Sequence, residues 1–476
     1  MRKTKIVCTL GPASSDEETI RSLLLAGMNV ARLNFSHGSH ESHKKMIDTF
    51  RKVRDSLGLP AAVMLDTKGP EIRLKTFENG RVTLKDGDTF TLLAEPVVGD
   101  STRVSLSYPG LIPQMKAGQR ILLDDGHIEM RVETPGVEQA VCRVVHGGVV
   151  SDRKSLNVPS MHIDMPYMSE QDKADLLFGI EMDVDFVAAS FVRSEQDVVM
   201  LRKFLDYNGG HSIRIIAKIE NSEGIENFDS ILAKADGIMV ARGDMGVEVA
   251  YERLPGIQKR FIRRCYQSGK MVITATQMLE SMVSSPTPTR AEITDVANAV
   301  FDGTSAVMLS GESAMGKYPV QAVQVMATIA EQAEKDAFAM NVYAGLGHDV
   351  DFSDVTNAIC DATCTTARDS HAKAIIAVTK SGTTARRMSK FRPYEPIVAA
   401  TPELKTFHQL SLSWGVYPVL AREQRTTDEL FKHAVDCAKQ IDLVSNGDRV
   451  VITAGVPLGI PGGTNTLKVH TVGTNN

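Results

Sequence analysis

Short apolar runs rich in β-branched residues alternate with amphipathic stretches along most of this chain. The apolar runs have the length of buried strands, and the stretches between them have the character of helices. About eight strand-then-helix units are typical of a (β/α)8 barrel, although an open doubly wound sheet gives similar local signals. The predicted strands are Lys5–Leu10, Met28–Phe35, Ala61–Asp66, Asp185–Phe191, Arg214–Ile219, Gly237–Ala241, Met271–Thr276 and Ser305–Leu309.

Three predicted helices carry clear start signals. Ser169–Asp172 and Ser194–Asp197 are near-identical sequences in which a serine precedes an acidic first turn. Thr289–Glu292 has the spacing of a capping box, in which the threonine and the glutamate each satisfy a free backbone N–H group. All three sites are therefore predicted helix N-termini.

The alternation breaks between Pro70 and about Pro166. Turn sequences containing glycine and aspartate separate short strands there, which predicts an all-β insert after the third barrel strand. Such an insert leaves the barrel at the strand ends where barrel enzymes keep their chemistry, so it is placed to act as a lid. Its predicted strands are Arg81–Lys85, Asp88–Leu93, Arg103–Leu106, Arg120–Leu123, His127–Glu133 and Ala140–Val145.

A second α/β region follows the long predicted helix Tyr318–Ala339 and a glycine-rich segment at Gly345–His348. It begins with a helix at Ser353–Ser370 and continues with strands at Ala374–Val378, Ile397–Ala400, Tyr417–Leu420, Arg449–Thr453 and Lys468–Thr471. The predicted fold is therefore α/β: a (β/α)8 TIM barrel with an inserted all-β lid domain and a C-terminal α/β domain. The barrel would comprise residues 1–69 and 167–342, the β-barrel-like lid 70–166, and the regulatory C-terminal domain 343–476.

Composition narrows the class of protein. The 476 residues are 43% hydrophobic and 23% charged with a net charge of -5, which gives no overall attraction to nucleic acid or anionic membranes. Neither an export signal nor an apolar stretch of the ~18 residues that span a bilayer is present, and the six scattered cysteines fit reduced thiols. These features predict a cytoplasmic protein. Cys360 and Cys364 could pair on a metal, but a packed helix face is the favoured interpretation.

Polar side chains recur at the carboxyl ends of the predicted strands. Because side chains alternate faces along a strand, Arg32, Asn34 and Ser36 share one face, and Lys218 and Glu220 share another. In a barrel, all these strand ends form one rim, where catalytic groups gather. The rival interpretations are ordinary polar loop residues and a structural Lys218–Glu220 salt bridge. The other strand-end residues are Asp66, Thr67, Arg242, Asp244, Thr276, Ser310 and Glu312.

This set of residues suits phosphoryl transfer. Glu220 and Asp244 offer hard oxygen ligands for Mg²⁺ or Mn²⁺. Arg32, Arg73 and Lys218 are cations that can neutralise a phosphoryl group in transfer. A site with one carboxylate and several neutral oxygens suits a monovalent cation. The residues that could form such a site are Asn34, Ser36, Asp66 and Thr67. Gly243 and Asp244 precede a predicted helical turn whose free N–H groups could hold a carboxylate. The sequence contains no Walker loop, and no GxGxxG sequence follows the first strand.

Seven segments resemble signatures of the pyruvate kinase family, and the resemblance extends from residue 3 to the last strand. They are Lys5–Pro12, Met28–Gly38, Leu65–Arg73, Ala217–Asn221, Met239–Asp244, Thr274–Leu279 and Asp302–Ser313. The resemblance implies an enzyme that moves the phosphoryl group of phosphoenolpyruvate to ADP, giving pyruvate and ATP in glycolysis, with Mg²⁺ or Mn²⁺ and with K⁺. It also implies a homotetramer.

The resemblance also assigns roles. Lys218 would stabilise the transferring group, Arg32 would contact phosphates, and Thr276 would touch the substrate carboxylate and help the proton step. Glu220 and Asp244 would hold the divalent metal, with Gly243 beside the substrate, and Asn34, Ser36, Asp66 and Thr67 would bind K⁺. The residues near the nucleotide would be Asn34, His37, Arg73 and Lys154. Around Lys154 the chain departs from the family, because Ser155 and Ser160 stand where glycines are usual.

A small hydroxyl-rich loop in the C-terminal region could cradle a phosphate. It resembles the family's effector loop, as does Gly459–Asn465, and its predicted binding residues are Thr379, Ser381, Gly382, Thr383 and Thr384. An aromatic-plus-arginine clamp for fructose bisphosphate is not evident. The effector could therefore be fructose bisphosphate, a sugar monophosphate or AMP.

Two other functions fit parts of the pattern. A barrel lyase or aldolase acting on a pyruvate enolate also combines a metal with a lysine, which can form a Schiff base. It needs neither a β lid carrying arginine nor a potassium set. A catalytically inactive, metabolite-sensing protein is the other alternative, but it has no reason to keep Lys218, Glu220, Asp244 and Thr276 together.

Overall fold

The computed structural model describes residues 1–343, 351–458 and 463–474. Eight parallel strands close into a barrel in which the first strand pairs with both the second and the last, with Lys5 opposite Ala306. This confirms the predicted barrel and excludes an open sheet for this part of the chain. The strands are Lys5–Thr9, Val30–Asn34, Ala62–Asp66, Phe186–Ala189, Arg214–Ile219, Gly237–Ala241, Met271–Ala275 and Ala306–Leu309.

Helices surround the barrel, and their apolar faces pack against its outer surface. The helices are Glu17–Ala26, His40–Ser56, Glu170–Glu181, Glu195–Tyr207, Ser222–Glu226, Phe228–Lys234, Arg242–Glu248, Leu254–Gln267, Arg290–Phe301, Gly311–Ala314 and Pro319–Ala339. Capping boxes start two of them at Ser169 and Thr289, as predicted. The helix Glu195–Tyr207 also begins after Ser194, as predicted, but the Ser194 side chain makes no cap bond. The Asp197 carboxylate instead accepts the Arg193 N–H group and pairs with its guanidinium.

The barrel strands separate two apolar layers. Side chains such as Leu33, Ile215 and Ala217 point outward to the helices, while Val30, Met64 and others point inward and fill the barrel. Each strand therefore has one face in each layer, as the period of two requires. The inward face continues beyond the last apolar layer as the polar rim described below.

The insert forms a six-stranded sheet and a two-stranded sheet around a separate apolar core. The predicted strands are present, and two further strands, Gly148–Ser151 and Leu156–Asn157, were not predicted. The strands are Arg81–Leu84, Thr89–Leu93, Arg103–Ser105, Arg120–Leu123, Ile128–Thr134, Gln139–His146, Gly148–Ser151 and Leu156–Asn157. The lid boundaries at 70 and 166 stay a prediction.

The C-terminal region folds as a five-stranded sheet in which four strands are parallel and the last is antiparallel. The strands are Ala374–Val378, Ile397–Thr401, Val416–Leu420, Arg449–Ala454 and Thr466–Thr471, and the helices are Val355–Asp369, Thr383–Ser389, Leu404–Gln409 and Thr427–Gln440. Cys360 and Cys364 pack on the apolar face of the first of these helices, as favoured above. The segments Gly345–His348 and 459–462 lie outside the described residues.

This sheet packs against the end of the barrel opposite the rim. Leu412 joins the apolar layer inside the barrel, and the Lys5 ammonium donates to the Val416 carbonyl at 2.6 Å. The Gln409 amide donates to the carbonyls of Asp185 and Ser212. In the described residues, no helix is long and apolar enough to cross a membrane.

Candidate active site

Lys218 lies on the rim between Asp66 and Glu220. It follows the inward-facing Ile216 on the fifth barrel strand and is 8% exposed. Its ammonium lies 2.9 Å from Asp66 Oδ1 and 3.1 Å from Glu220 Oε1, and it donates to the Ser190 hydroxyl at 2.7 Å. Burial disfavours the charged amine, but the Asp66 and Glu220 carboxylates outweigh burial and raise the pKa of Lys218. The lysine is therefore held as a cation.

Asp66 joins this lysine to Arg32. The Arg32 Nε lies 2.6 Å from Asp66 Oδ2, and its NH1 donates to the Thr9 hydroxyl. Asp66 is fully buried; burial opposes its charge, but the two cations prevail and lower the pKa of its carboxyl. Asp66 is thus a buried anion that fixes two cations on one side of the rim.

Glu220 and Asp244 form a carboxylate pair with a different character. Burial, partly offset by Lys218 and reinforced by Asp244, raises the pKa of Glu220 to about 7, and burial also raises the pKa of Asp244. Glu220 accepts the Phe191 N–H group at 2.6 Å. Two such neighbours titrate as a unit, and a positive charge bound between them would favour the ionised form of both.

Thr276 is held in a strained backbone conformation at the end of the seventh strand. Its φ of 67° lies in the left-handed region that β-branched residues rarely adopt. Its hydroxyl donates to the Ala275 carbonyl at 2.6 Å and accepts the Gly243 N–H group at 2.8 Å. The Arg242 guanidinium fixes the Thr276 carbonyl from the other side. The hydroxyl is therefore fixed beside the Gly243–Asp244 segment.

The predicted potassium ligands are neighbours in space. Asn34 lies opposite Asp66 in the register of the second and third strands, and its side-chain oxygen accepts the Ser36 N–H group. Thr67 follows Asp66 directly, and its hydroxyl accepts the Ser190 N–H group. His37 is exposed beyond the same strand end.

Two other predicted residues belong to the lid. The Arg73 side chain forms an ion pair with Glu71 at 2.8 Å. Its backbone forms an isolated antiparallel β-bridge with Ser155, the residue after Lys154. Lys154 pairs with Asp124 at 2.8 Å. Glu71 and Asp125 are near enough to contribute to the raised pKa of Asp244. This side of the lid therefore faces the carboxylate pair.

Sequence reasoning missed Ser190. It is 2% exposed and contacts Lys218, Asp66 and the Thr67 carbonyl at once. A signal was present, because Ser190 is two residues after Ala188 and four after Phe186, which both point into the barrel. The ends of the first and fourth strands were both left out of the predicted rim.

The C-terminal loop lies far from these residues in the fold. Gly382 adopts a φ of 78°, and the hydroxyls of Ser381 and Thr383 are 3.0 Å apart and exposed. Thr379 and Thr384 are buried, and Thr384 bonds to Thr464 at 2.6 Å. The Arg214 guanidinium donates to the Ser381 carbonyl, so the loop touches the barrel strand that carries Lys218.

These contacts define an α/β-barrel phosphotransferase rather than a Schiff-base enzyme, because a lysine held charged by two carboxylates is not a nucleophilic amine. Residues 1–323 match the family described as "Pyruvate kinase, barrel domain", and 357–470 match "Pyruvate kinase, alpha/beta domain". The chain belongs to the pyruvate kinase family, and its enzymatic activity is that of a pyruvate kinase.

Full-length relatives agree with this assignment. The chain is 47% identical to a pyruvate kinase of Clostridium acetobutylicum over 473 residues, covering 99% of this chain and 100% of that relative. A pyruvate kinase of Clostridium perfringens is 45% identical, again over 99% and 100% of the two chains. One from Geobacillus stearothermophilus is 47% identical over 99% of this chain and 80% of its own length.

Proposed function

We propose that the rim around Lys218 is the place where the protein transfers the phosphoryl group of phosphoenolpyruvate to ADP. The observation that carries this assignment is Lys218 itself, a buried cation between Asp66 and Glu220 at the carboxyl end of a barrel strand. Arg32, fixed by Asp66, supplies a second positive charge on the same rim. Fixed cations of this kind stabilise a phosphoryl group in transfer without reorganising.

Glu220 and Asp244 are the proposed ligands of Mg²⁺ or Mn²⁺. Their donor set fits, since a divalent cation would relieve the repulsion between buried Glu220 and half-buried Asp244, whose pKa values are both raised. In the described residues, no group of three or more His, Cys, Asp or Glu is assembled for a metal. Two protein carboxylates, with substrate oxygens completing the shell, are the usual way to bind Mg²⁺. When bound, the metal supplies charge neutralisation for the substrate oxygens.

K⁺ is the proposed ligand of Asn34, Ser36, Asp66 and Thr67. The single carboxylate of this set already pairs with Arg32 and Lys218, so little negative charge is left for a second divalent ion. Neutral hydroxyl and amide oxygens around one carboxylate fit a weakly hydrated monovalent cation better.

The remaining rim residues are proposed to handle the substrate and the proton. Gly243 and Asp244 would lie beside the substrate carboxylate, and the Thr276 hydroxyl would pass a proton toward the enolate through water. Lys218 keeps its own proton, because a lysine with a raised pKa is a poor general acid near neutrality. Asn34, His37, Arg73 and Lys154 are the proposed contacts to the nucleotide.

An alanine at Asp244 tests the metal assignment. We expect Asp244→Ala to abolish both turnover and its dependence on Mg²⁺, measured by coupling pyruvate formation to lactate dehydrogenase. Asp229→Ala is the matched control, since this carboxylate pairs with Arg264 on an outer helix. Near-normal turnover of Asp244→Ala with Mg²⁺ would contradict the proposal.

Replacing K⁺ by Tris or Li⁺ in the same assay tests the proposed monovalent-cation site. We expect activity to be much higher with K⁺, and equal activity without K⁺ would show that these four residues do not form a potassium site.

We further propose that a phosphorylated metabolite regulates the enzyme and that the chain assembles as a homotetramer. A phosphorylated metabolite is proposed to bind at Thr379, Ser381, Gly382, Thr383 and Thr384. Two hydroxyls of this loop are exposed, and its Ser381 carbonyl is bonded to Arg214 of the barrel. A homotetramer would provide the two states that a response at a distance requires. The proposed location is the cytoplasm.

A further inference from the structure

A small cavity lies between the C-terminal domain and the end of the barrel opposite the rim. The space between its walls amounts to about 230 Å³, part of which is open to solvent. Its barrel side is formed by Lys270, Met271 and Ser305. Its other side is formed by residues 386–392, which follow the loop at Thr379–Thr384, and by Ser413 and Trp414. The narrow interior leaves room for one small species, a water molecule or a monatomic ion.

Its wall carries positive charge without a counter-ion. Arg392 is 4% exposed, and neither Arg392 nor Arg386 forms an ion pair with any residue that the structure describes. Burial lowers the pKa of Arg392 to about 10 and that of Arg386 to about 9, so both guanidiniums remain charged at neutral pH. A buried charge is costly unless it is paired.

Several residues that line the cavity also carry hydrogen-bonding groups without a partner. Arg392 donates to the carbonyls of Ser389 and Gly303, but its Nε is buried without a partner among the described residues. Arg386 NH1, Ser413 Oγ and Trp414 Nε1 are also buried and unpartnered there. Natural proteins rarely leave such atoms unsatisfied. Arginine and tryptophan can only donate, so the missing partner must be an acceptor.

We propose that this cavity binds a small monovalent inorganic anion of the size of chloride. The anion would accept hydrogen bonds from Arg392, Trp414 and Ser413 and neutralise the buried guanidinium. Because Arg392 also donates to the barrel carbonyl of Gly303, the anion would strengthen the junction between the two domains. The interior is too small for a sugar phosphate, which separates this site from the loop at Thr379–Thr384.

Trp414 makes the site directly measurable, because it is the only tryptophan of the chain and is 1% exposed. Bromide quenches indole fluorescence on contact, but a buried indole is shielded from collisions with bromide in solution. We expect bromide, exchanged for gluconate at constant ionic strength, to quench Trp414 along a saturable curve. Chloride should compete with bromide, and phosphate should not. Weak, non-saturating quenching that chloride leaves unchanged would overturn the proposal.

Variants of the wall sharpen the test. Ser413→Ala keeps the fluorophore and removes one donor, so we expect bromide affinity to fall about three- to tenfold. Ser411→Ala is the matched control, since that hydroxyl donates to the Asn29 carbonyl outside the cavity. Arg392→Met should abolish saturable quenching. Equal affinity in Ser413→Ala and Ser411→Ala would contradict the assigned position even if Arg392→Met fails to fold.

Crystallography supplies an independent readout on the unaltered protein. Crystals grown in sodium bromide should show an anomalous peak within hydrogen-bond distance of Arg392 Nε and Trp414 Nε1. The thermal midpoint in chloride should exceed that in gluconate by about 1–2 °C, because a ligand that binds only the folded state stabilises it. A water without anomalous signal at this position would overturn the proposal.

Discussion

At the residue scale, the proposed roles in charge stabilisation and in proton transfer belong to different residues of the rim. Lys218 is surrounded by Asp66, Glu220 and Ser190, and its raised pKa makes it a fixed cation. Thr276 lies at another strand end, with its hydroxyl beside Gly243. The two residues should therefore fail in different ways when they are replaced.

Exchange of the methyl protons of pyruvate distinguishes the two roles. Lys218→Met should lose phosphoryl transfer by several orders of magnitude, in the range of other charge clamps on phosphoryl groups. With metal present it should still exchange pyruvate protons with heavy water, because enolisation does not need the lysine. Thr276→Ala should show the reverse bias. Proton NMR measures both, and loss of exchange in Lys218→Met with normal exchange in Thr276→Ala would mean that the roles are reversed.

The sequence predicted the central residues because a strand has a simple period. Once Ile215–Ile219 is read as a strand, Lys218 and Glu220 must share the inward face. Ser190 obeys the same rule, but the fourth strand was predicted to continue to Phe191, so Ser190 was placed inside the strand and not at its end. The missing cap interaction at Ser194 has a different cause. The Asp197 carboxylate accepts hydrogen bonds from Arg193 instead, and the sequence alone does not reveal such a competing partner.

At the scale of elements, Ser155 and Ser160 of the lid stand where the family resemblance predicts glycines. Ser160 adopts a φ of 62°, in the left-handed region that glycine accepts without strain. Ser155 instead uses its side chain, since its hydroxyl donates to the Asp125 carboxylate and accepts the Asp125 N–H group. Ser160 therefore carries backbone strain, whereas Ser155 contributes side-chain hydrogen bonds.

Glycine substitutions should separate these two serines. Ser160→Gly should stabilise the protein by about 1 kcal/mol, because it relieves the positive φ. Ser155→Gly should destabilise it by a similar amount through the lost hydrogen bonds to the loop that pairs with Lys154. Urea unfolding of both variants measures the difference. Equal effects of the same sign would contradict the local explanation.

The helix Leu404–Gln409 contributes a second element-scale property, a sensitivity to acid. Its His408 is buried, and burial lowers the pKa of the imidazole to about 4 from an ordinary 6.5. Between these values the unfolded state binds more protons than the folded state, so stability rises with pH from about 4 to 6.5 and is lost as pH falls.

His408→Gln should flatten this part of the pH profile. We expect the free energy of unfolding of the unaltered protein to fall by an amount on the order of 1–2 kcal/mol more than that of the variant between pH 6.5 and 4.5. Denaturant unfolding at several pH values gives the comparison. Parallel profiles for the two proteins would show that His408 does not titrate as argued.

At the scale of the whole molecule, one barrel strand connects the two proposed sites. Arg214 begins the fifth strand and bonds to the Ser381 carbonyl, while Lys218 and Glu220 lie at the other end of that strand. Six residues in a strand span about 20 Å. A contact is not itself allostery, which requires two states with different affinities. If those states exist, effector and phosphoenolpyruvate must alter each other's affinity by the same factor.

An acidic residue at Thr383 tests this coupling. We expect the unaltered protein to respond sigmoidally to phosphoenolpyruvate and to become nearly hyperbolic with fructose bisphosphate, a sugar monophosphate or AMP. Thr383→Glu should abolish that response by charge repulsion while leaving maximal velocity within about twofold. Thr384 is a poorer choice because it is buried against Thr464. Ser445→Glu, at an exposed position of the same domain, is the control.

Persistence of the response in Thr383→Glu would place the effector elsewhere. Sedimentation of both variants and of the unaltered protein shows whether their assembly differs, so that loss of the proposed homotetramer is not mistaken for loss of binding.

Barrel closure also sets the order in which a growing chain can fold. Lys5 pairs with Ala306 and bonds to Val416, so the first strand has no complete surroundings until more than 300 residues have followed it. At the usual pace of synthesis of about 5–20 residues per second, that wait is on the order of 15–60 s. The lid, whose strands pair only with one another, can fold on the ribosome long before the barrel that holds it.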